Sequence, residues 1–288
     1  MPRRSTRIGE LLLRQKNEKS TDWKDRLWLL SGILKRSHNE LFLSSSELLA
    51  GAVLKRYEQA LQKRKRGEPL QYILGEGDFW GRSFLVDKRV LIPRPETERL
   101  VEIALEQIKG ESVRILDLGT GSGAIAVTLK LERPDWRCSA SDVSKSALQV
   151  AAKNAERLGA EIELHCENIF GRKLSPGKFD WIISNPPYLE FARDFIAKDV
   201  RKHEPRMALE PLSENRLRDV SERAAWIAEG ILRACAENER RPLGVLMELS
   251  PRVAYYLERK WRRHKSVSSV ERHADLAGRR RFLLLRWK

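Results

Sequence analysis

From residue 113 onward the chain alternates short apolar runs with amphipathic stretches, and no other property of the sequence restricts the fold as strongly. Residues 113–118, 137–142, 161–166, 179–184 and 243–249 read as strands. Residues 123–131, 144–158, about 219–238 and 251–263 carry helical periodicity, with Ser144 placed to cap its helix. Apolar strands separated by helices predict an open, mostly parallel α/β sheet with helices on both faces. Two further strands, 266–272 and 280–287, are joined by a short link through Gly278, so they are expected to pair antiparallel. Residues 189–218 have weak periodicity and read as a loop with short helical turns.

The first 75 residues have a different pattern. Trp23, Leu27, Leu30 and Leu34 recur at helical spacing, and Ser44-x-x-Glu47 reads as a capping box. The helix after it is expected to carry Leu49, Val53, Tyr57 and Leu61 on one face and to end at Gly67-Glu68-Pro69, closing a small helical bundle. Residues 79–86, centred on Gly81, predict a hairpin. Val90-Leu91-Ile92-Pro93-Arg94-Pro95 then stiffens the entry to a helix beginning at Glu96. The expected division is a helical domain over 1–75, a hairpin linker over 76–95, and the sheet domain over 96–288.

Charge and cysteine usage narrow the setting. The chain has 55 Lys and Arg against 40 Asp and Glu, a net charge of +15, which favours polyanionic surroundings such as nucleic acid or ribosomes. The three cysteines are far apart, and the five histidines form no ligand spacing, so neither a disulfide framework nor a metal site is expected. No apolar run approaches the roughly 18 residues of a membrane helix. The basic start lacks the apolar core of a signal peptide. A cytoplasmic protein is expected, with a mitochondrial one as the alternative.

Asp117-Leu118-Gly119-Thr120-Gly121-Ser122-Gly123 closes the first strand of the sheet. Its glycines permit a tight turn and a close approach of backbone to ligand. Asp142 ends the next strand, about 20 positions further on, where a carboxylate receives ribose hydroxyls. No lysine stands nearby to hold phosphates. The pattern suits an adenosine ligand without a pyrophosphate, such as S-adenosylmethionine. Glu167-Asn168-Ile169-Phe170 ends the third strand, where Asn168 and Ile169 would meet adenine; the same residues also read as an ordinary strand end.

Asn185-Pro186-Pro187-Tyr188 follows the apolar strand 179–184. An Asn side-chain oxygen and the Pro186 carbonyl can each accept a hydrogen bond from a planar NH2 group, and the Tyr188 ring offers a flat surface. Such a site suits alkylation of an amide or an exocyclic amine.

With the glycine loop, the acid and Asn-Pro-Pro-Tyr in this order, the chain resembles class I S-adenosylmethionine-dependent methyltransferases. More narrowly it resembles the PrmC/HemK family, the N5-glutamine methyltransferases of peptide chain release factors. Gly67 through Gly75, Phe79 through Val86, Val90 through Glu98, Glu204-Pro205, Ala208-Leu209 and Asp275 through Arg281 carry the likeness. The resemblance implies a glutamine of a release-factor Gly-Gly-Gln loop as methyl acceptor, recognised by the helical first domain. It implies that Gly119, Thr120, Gly121, Ser122 and Gly123 cradle the methionine part and that Asp142 holds the ribose. Asn185, Pro186, Pro187 and Tyr188 would hold the glutamine amide, with Arg94, Pro95 and Glu96 lining the site. The family usually has Asp and then an aromatic where this chain has Asn168-Ile169, and a glycine-rich stretch where it has residues 210–215. The residues leave other readings open: an adenine-N6 methyltransferase of DNA or RNA, a non-catalytic adaptor on the same fold, and, least, a dehydrogenase. A monomer is expected; the basic clusters read first as solvated faces, with proximity to ribosomes or nucleic acid as the alternative.

Overall fold

The computed structural model describes residues 6–13, 23–167, 178–189, 198–210 and 220–288; for Leu13, Lys198 and residues 220–223 only the backbone is described. The chain divides into two compact units, Met1–Glu76 with Ala197–His203, and Gly77–Ile196 with Glu204–Lys288.

The first unit contains β1 (Thr6–Arg7), α1 (Ile8–Leu13), α2 (Trp23–Leu34), α3 (His38–Leu43), β2 (Leu48–Leu49), α4 (Gly51–Lys65) and α5 (Leu70–Leu74). Its core gathers Ile8, Leu27, Leu30, Leu41, Leu54 and Tyr57, all buried. Several local details differ from expectation. The capping box is Ser37 with Glu40: Ser37 Oγ accepts from the Glu40 N–H, and the Glu40 carboxylate accepts from the Ser37 N–H. Ser44 closes α3 instead, and Glu47 is held by Arg36. The Ser-x-x-Glu spacing occurs at both places, and only the start of a helix converts it into a cap. Trp23 opens α2 and is 53% exposed, so the buried stripe starts later, with Arg26, Leu27, Leu29 and Leu30. Leu49 precedes α4 and pairs with Thr6 in a two-residue antiparallel ladder, too short to leave a period in the sequence. Gly67-Glu68-Pro69 is followed by the extra turn α5, which ends at Gly75 in the left-handed conformation (φ 81°).

The second unit opens with β3 (Glu76–Phe79) and β4 (Arg82–Leu85), joined by Trp80 (φ 53°) and Gly81 (φ 67°). Both turn residues have positive φ, the twist that a two-residue hairpin requires. Phe79 and Phe84 meet edge to face at 6.0 Å and enter the main core, so this hairpin is built into the second unit. Then follow α6 (Pro95–Gln107), β5 (Arg114–Leu118), α7 (Ala124–Glu132), β6 (Arg137–Asp142), α8 (Lys145–Leu158), β7 (Glu163–Cys166), β8 (Trp181–Ser184), α9 (Lys198–His203), which belongs to the first unit, and then α10 (Arg206–Leu209), α11 (Val220–Glu237), β9 (Gly244–Glu248), α12 (Pro251–Trp261), β10 (Val267–Ala274) and β11 (Arg280–Trp287).

The sheet runs β10-β11-β9-β8-β5-β6-β7. β7 through β9 pair in parallel, while β11 is antiparallel to both β9 and β10, as the short link through Gly278 implied. Ile115, Ile183, Leu246 and Leu284 face one buried layer, shared with α6 and α7. Leu116, Ile182, Val245 and Leu283 face the other, shared with α11 and α12. Alternate residues of one strand thus serve opposite layers, which is why these strands are apolar without a break. The chain leaves β5 for β6 and β7 on one side and returns to β8 on the other. A crevice opens at the strand carboxyl ends where the order reverses, so the fold itself places a ligand site beside β5 and β8. Among the described residues no helix is long and apolar enough to cross a membrane.

Candidate cofactor and substrate pocket

A pocket of about 680 Å³ lies at that reversal. Its floor is the turn after β5. Gly119, Gly121 and Gly123 have φ of 75°, 55° and 83°, a region in which a side chain is strained. The Gly119 and Thr120 N–H groups donate to the Ser141 carbonyl at 2.8 and 3.0 Å, binding the turn to the end of β6. A Cβ at Gly119 or Gly121 would meet no protein atom within 4 Å, so these glycines keep room for something other than protein. Gly123 is glycine for packing as well: a Cβ there would lie 3.1 Å from that of Ala151 on α8.

Asp117 supports the turn from beneath. It is fully buried, and its Oδ2 accepts from the Thr120 hydroxyl and the Ala126 N–H. Burial raises its carboxyl to about 7. Asp142 stands at the rim. Its Oδ2 accepts from the Gly121 N–H at 3.0 Å and its Oδ1 from the Ser144 N–H at 2.9 Å. Each carboxylate oxygen has a second lone pair, so two parallel acceptor positions remain for a vicinal diol. Buried Asn154 ties this floor to the hairpin. Its Nδ2 donates to the Ser122 and Leu85 carbonyls, and its Oδ1 accepts from the Leu85 N–H. Residues 88–91, Pro93 and Arg94 form the opposite wall, where Glu204 accepts from the Arg94 guanidinium at 2.6 Å.

The other end is built on β8. The Ser184 hydroxyl donates to the Leu118 carbonyl at 2.6 Å, locking the ends of β8 and β5 together. The next residue, Asn185, lines the pocket and donates its Nδ2 to Thr97 Oγ1 at 3.2 Å. Thr97 Oγ1 in turn donates to Glu248 Oε2 at 2.7 Å. Parallel pairing of Ser184 with Met247 brings Glu248, at the end of β9, beside Asn185. Glu248 is 1% exposed; burial lifts its carboxyl to about 7 against the pull of Thr97 and Arg281. The Tyr188 hydroxyl hydrogen-bonds the same carboxyl.

The pocket is lined by Gly119, Thr120, Gly121, Ser122, Asp142, Asn185, Pro186, Pro187 and Arg94 of the residues singled out in the sequence. Asp117 and Gly123 lie behind this wall. Tyr188 does too, its ring against the apolar layer of α11 and α12. Glu96 is exposed on the first turn of α6 and outside the lining. Asn168 and Ile169 lie outside the described residues. Thr97 and Glu204 fell within stretches that carry the family likeness but were given no role, and Glu248 and Asn154 escaped sequence reasoning. One signal for Glu248 was present: an acid ending an all-apolar strand, Gly244-Val245-Leu246-Met247.

Residues 97–203 match the family model described as a Methyltransferase small domain, and residues 7–75 match the PrmC N-terminal domain. A release factor glutamine methyltransferase of Neisseria gonorrhoeae is 42% identical over 187 residues, 65% of this chain and 68% of that one. Its counterpart in Leptospira interrogans is 34% identical over 264 residues, 89% of this chain and 88% of that one. Among solved structures, the catalytic domain of hMettl16 superposes with a TM-score of 0.54 at 16% identity, over 84% of each chain, a likeness of fold. The seven-stranded sheet, its glycine turn and the pocket at its reversal define a class I methyltransferase. Within that class, the chain belongs to the PrmC/HemK family, the release factor glutamine methyltransferases.

Proposed function

We infer that the protein transfers a methyl group from S-adenosylmethionine to the side-chain amide nitrogen of the glutamine in the Gly-Gly-Gln motif of class 1 release factors. The observation that carries this reading is Asn185, whose carboxamide is anchored by its donor end to Thr97 in the pocket floored by the glycine turn and Asp142. Family membership supports the choice of substrate.

The pocket fits the cofactor: Gly119 and Gly121 leave open space, and Asp142 retains two acceptor positions for ribose hydroxyls. When bound, S-adenosylmethionine supplies an electrophilic methyl on a sulfonium. Gly119 through Ser122 admit the methionine part and Asp142 orients the ribose. An amide nitrogen is a poor nucleophile because its lone pair is delocalised. Asn185 Oδ1 and the Pro186 carbonyl accept its two N–H bonds, turning the nitrogen toward the methyl and stabilising the positive charge it gains. Held by Gly119 through Ser122 and Asp142, the cofactor would supply the methyl group, and the amide would give up one N–H proton to solvent. Arg94, held by Glu204, stands at the substrate side with Pro187, while Tyr188 backs that end from behind the wall and Glu96 lies outside the lining.

On this reading residues 1–75 recognise the release factor, 76–95 link, and 96–288 perform the transfer. On the same reading the protein acts as a monomer. The bacterial relatives support a cytoplasmic setting. The test is mass spectrometry of a release factor incubated with the protein and isotopically labelled cofactor, with DNA and ribosomal RNA in parallel. Label on the Gly-Gly-Gln glutamine is expected; label on nucleic acid alone would overturn the assignment.

A further inference from the structure

We propose that Thr97 and Glu248 are positioning residues that fix which way round the Asn185 carboxamide faces, and so make Asn185 an acceptor toward the substrate. The inference rests on the proposed function. An Asn side chain can present either its oxygen or its NH2 by a half-turn, and the two ends are nearly the same size. A methyl-accepting amide offers N–H donors, so an Asn turned the wrong way would set donor against donor.

The chain of hydrogen bonds selects one orientation. Glu248 is buried at the end of β9, and in its carboxylate form, the major one above about pH 7, it only accepts. The Thr97 hydroxyl must therefore spend its single proton on Glu248, at 2.7 Å. The Thr97 oxygen is then left with lone pairs only, and it takes the Asn185 Nδ2–H at 3.2 Å. The NH2 end is occupied, and Oδ1 is the end turned away from Thr97. Tyr188 and Arg281 flank the same carboxyl and keep it from turning. The three members come from α6, β9 and the turn after β8, so the lock closes only when the sheet is assembled.

The lock is read without substrate and with it. Asn-selective 15N labelling, with the Asn185 side-chain signal assigned by its loss in Asn185→Asp, reports hydrogen exchange at Nδ2. Exchange is expected to be slow in the wild type and in Thr97→Ser, and faster by on the order of 10-fold in Thr97→Val and Glu248→Ala. With release factor as substrate, Thr97→Val is expected to lower kcat by on the order of 10-fold or more with cofactor Kd unchanged, and Thr97→Ser to restore it. Equal exchange in wild type and Thr97→Val, or equal kcat in both, would overturn the lock while leaving the activity standing. A wild-type protein that methylates no release factor would instead overturn the proposed function, and the exchange data would still decide the lock. A kcat loss as large in Thr97→Ser as in Thr97→Val would show that the hydroxyl alone does not set Asn185, and would overturn the lock.

Discussion

Asn185 is separated from Thr97 by 88 positions and Thr97 from Glu248 by 151, yet the three form one hydrogen-bonded chain. Sequence reasoning reached Asn185 because Asn-Pro-Pro-Tyr is contiguous, and it could not reach its partners because the packing of α6 brings in Thr97 and the register of β8 against β9 brings in Glu248. The same contrast holds at the cofactor end. Asp142 was legible from its spacing to the glycine turn, while Asn154, which fastens that turn to the hairpin, sits inside an ordinary amphipathic helix. Two variants separate the ends of the pocket. Asn185→Ala is expected to slow transfer by at least about 100-fold while cofactor affinity by calorimetry stays within a few fold. Asp142→Ala is expected to do the reverse, weakening cofactor binding by on the order of 10-fold or more through loss of a charged acceptor. Normal turnover in the first, or unaltered affinity in the second, would remove that residue from its assigned role.

Helices and strands of the sheet were largely legible, since apolar runs and caps are local signals. Ser144 caps α8 as its position implied, with its Oγ accepting from the Ala147 N–H. The Ser-x-x-Glu at residue 44 misled because nothing in four residues records whether a helix begins there. At this scale the junction of α7 and α8 is a close contact on a left-handed backbone. Gly123→Ala combines a left-handed backbone with a 3.1 Å approach to Ala151, and is expected to cost about 1–3 kcal/mol in urea denaturation. Asn154→Ala leaves the Leu85 N–H and the Ser122 and Leu85 carbonyls without their shared partner, three bonds in all. A loss of about 2–4 kcal/mol is expected, with weaker cofactor binding as the turn loosens. Retained stability in either variant would show that the neighbours close the gap.

The order of the seven strands was not written in any local pattern. An antiparallel end was foreseeable from the link through Gly278, but not that β11 would insert between β9 and β10, because strand order is settled by tertiary packing. Of the buried carboxyls among the described residues, Asp117 and Glu248 are raised to about 7. Around Glu248 stand Arg281, Glu96, Thr97 and Tyr188; around Asp117, Thr120, the Ala126 N–H and Asp142. In the unfolded chain both would titrate near 4. Between about pH 4 and 7 the folded state therefore binds more protons than the unfolded one, and stability is expected to fall as pH rises through this window and to level above it. The effect is on the order of a few kcal/mol per group at most. Denaturant midpoints at pH 5 and pH 8 measure it, and Asp117→Asn should reduce the slope; a stability that rises over this interval would contradict the burial argument.

The place of β11 has a consequence for synthesis. β9 is flanked by β8 on one side and β11 on the other, and Glu248 closes β9. A nascent polypeptide paused before Arg280 would display β9 with a bare rim of unpaired backbone N–H and C=O groups and no Arg281 to neighbour its acid. The methyl-transfer pocket would then mature only after those later residues have cleared the exit tunnel, well behind the glycine turn that forms its other end.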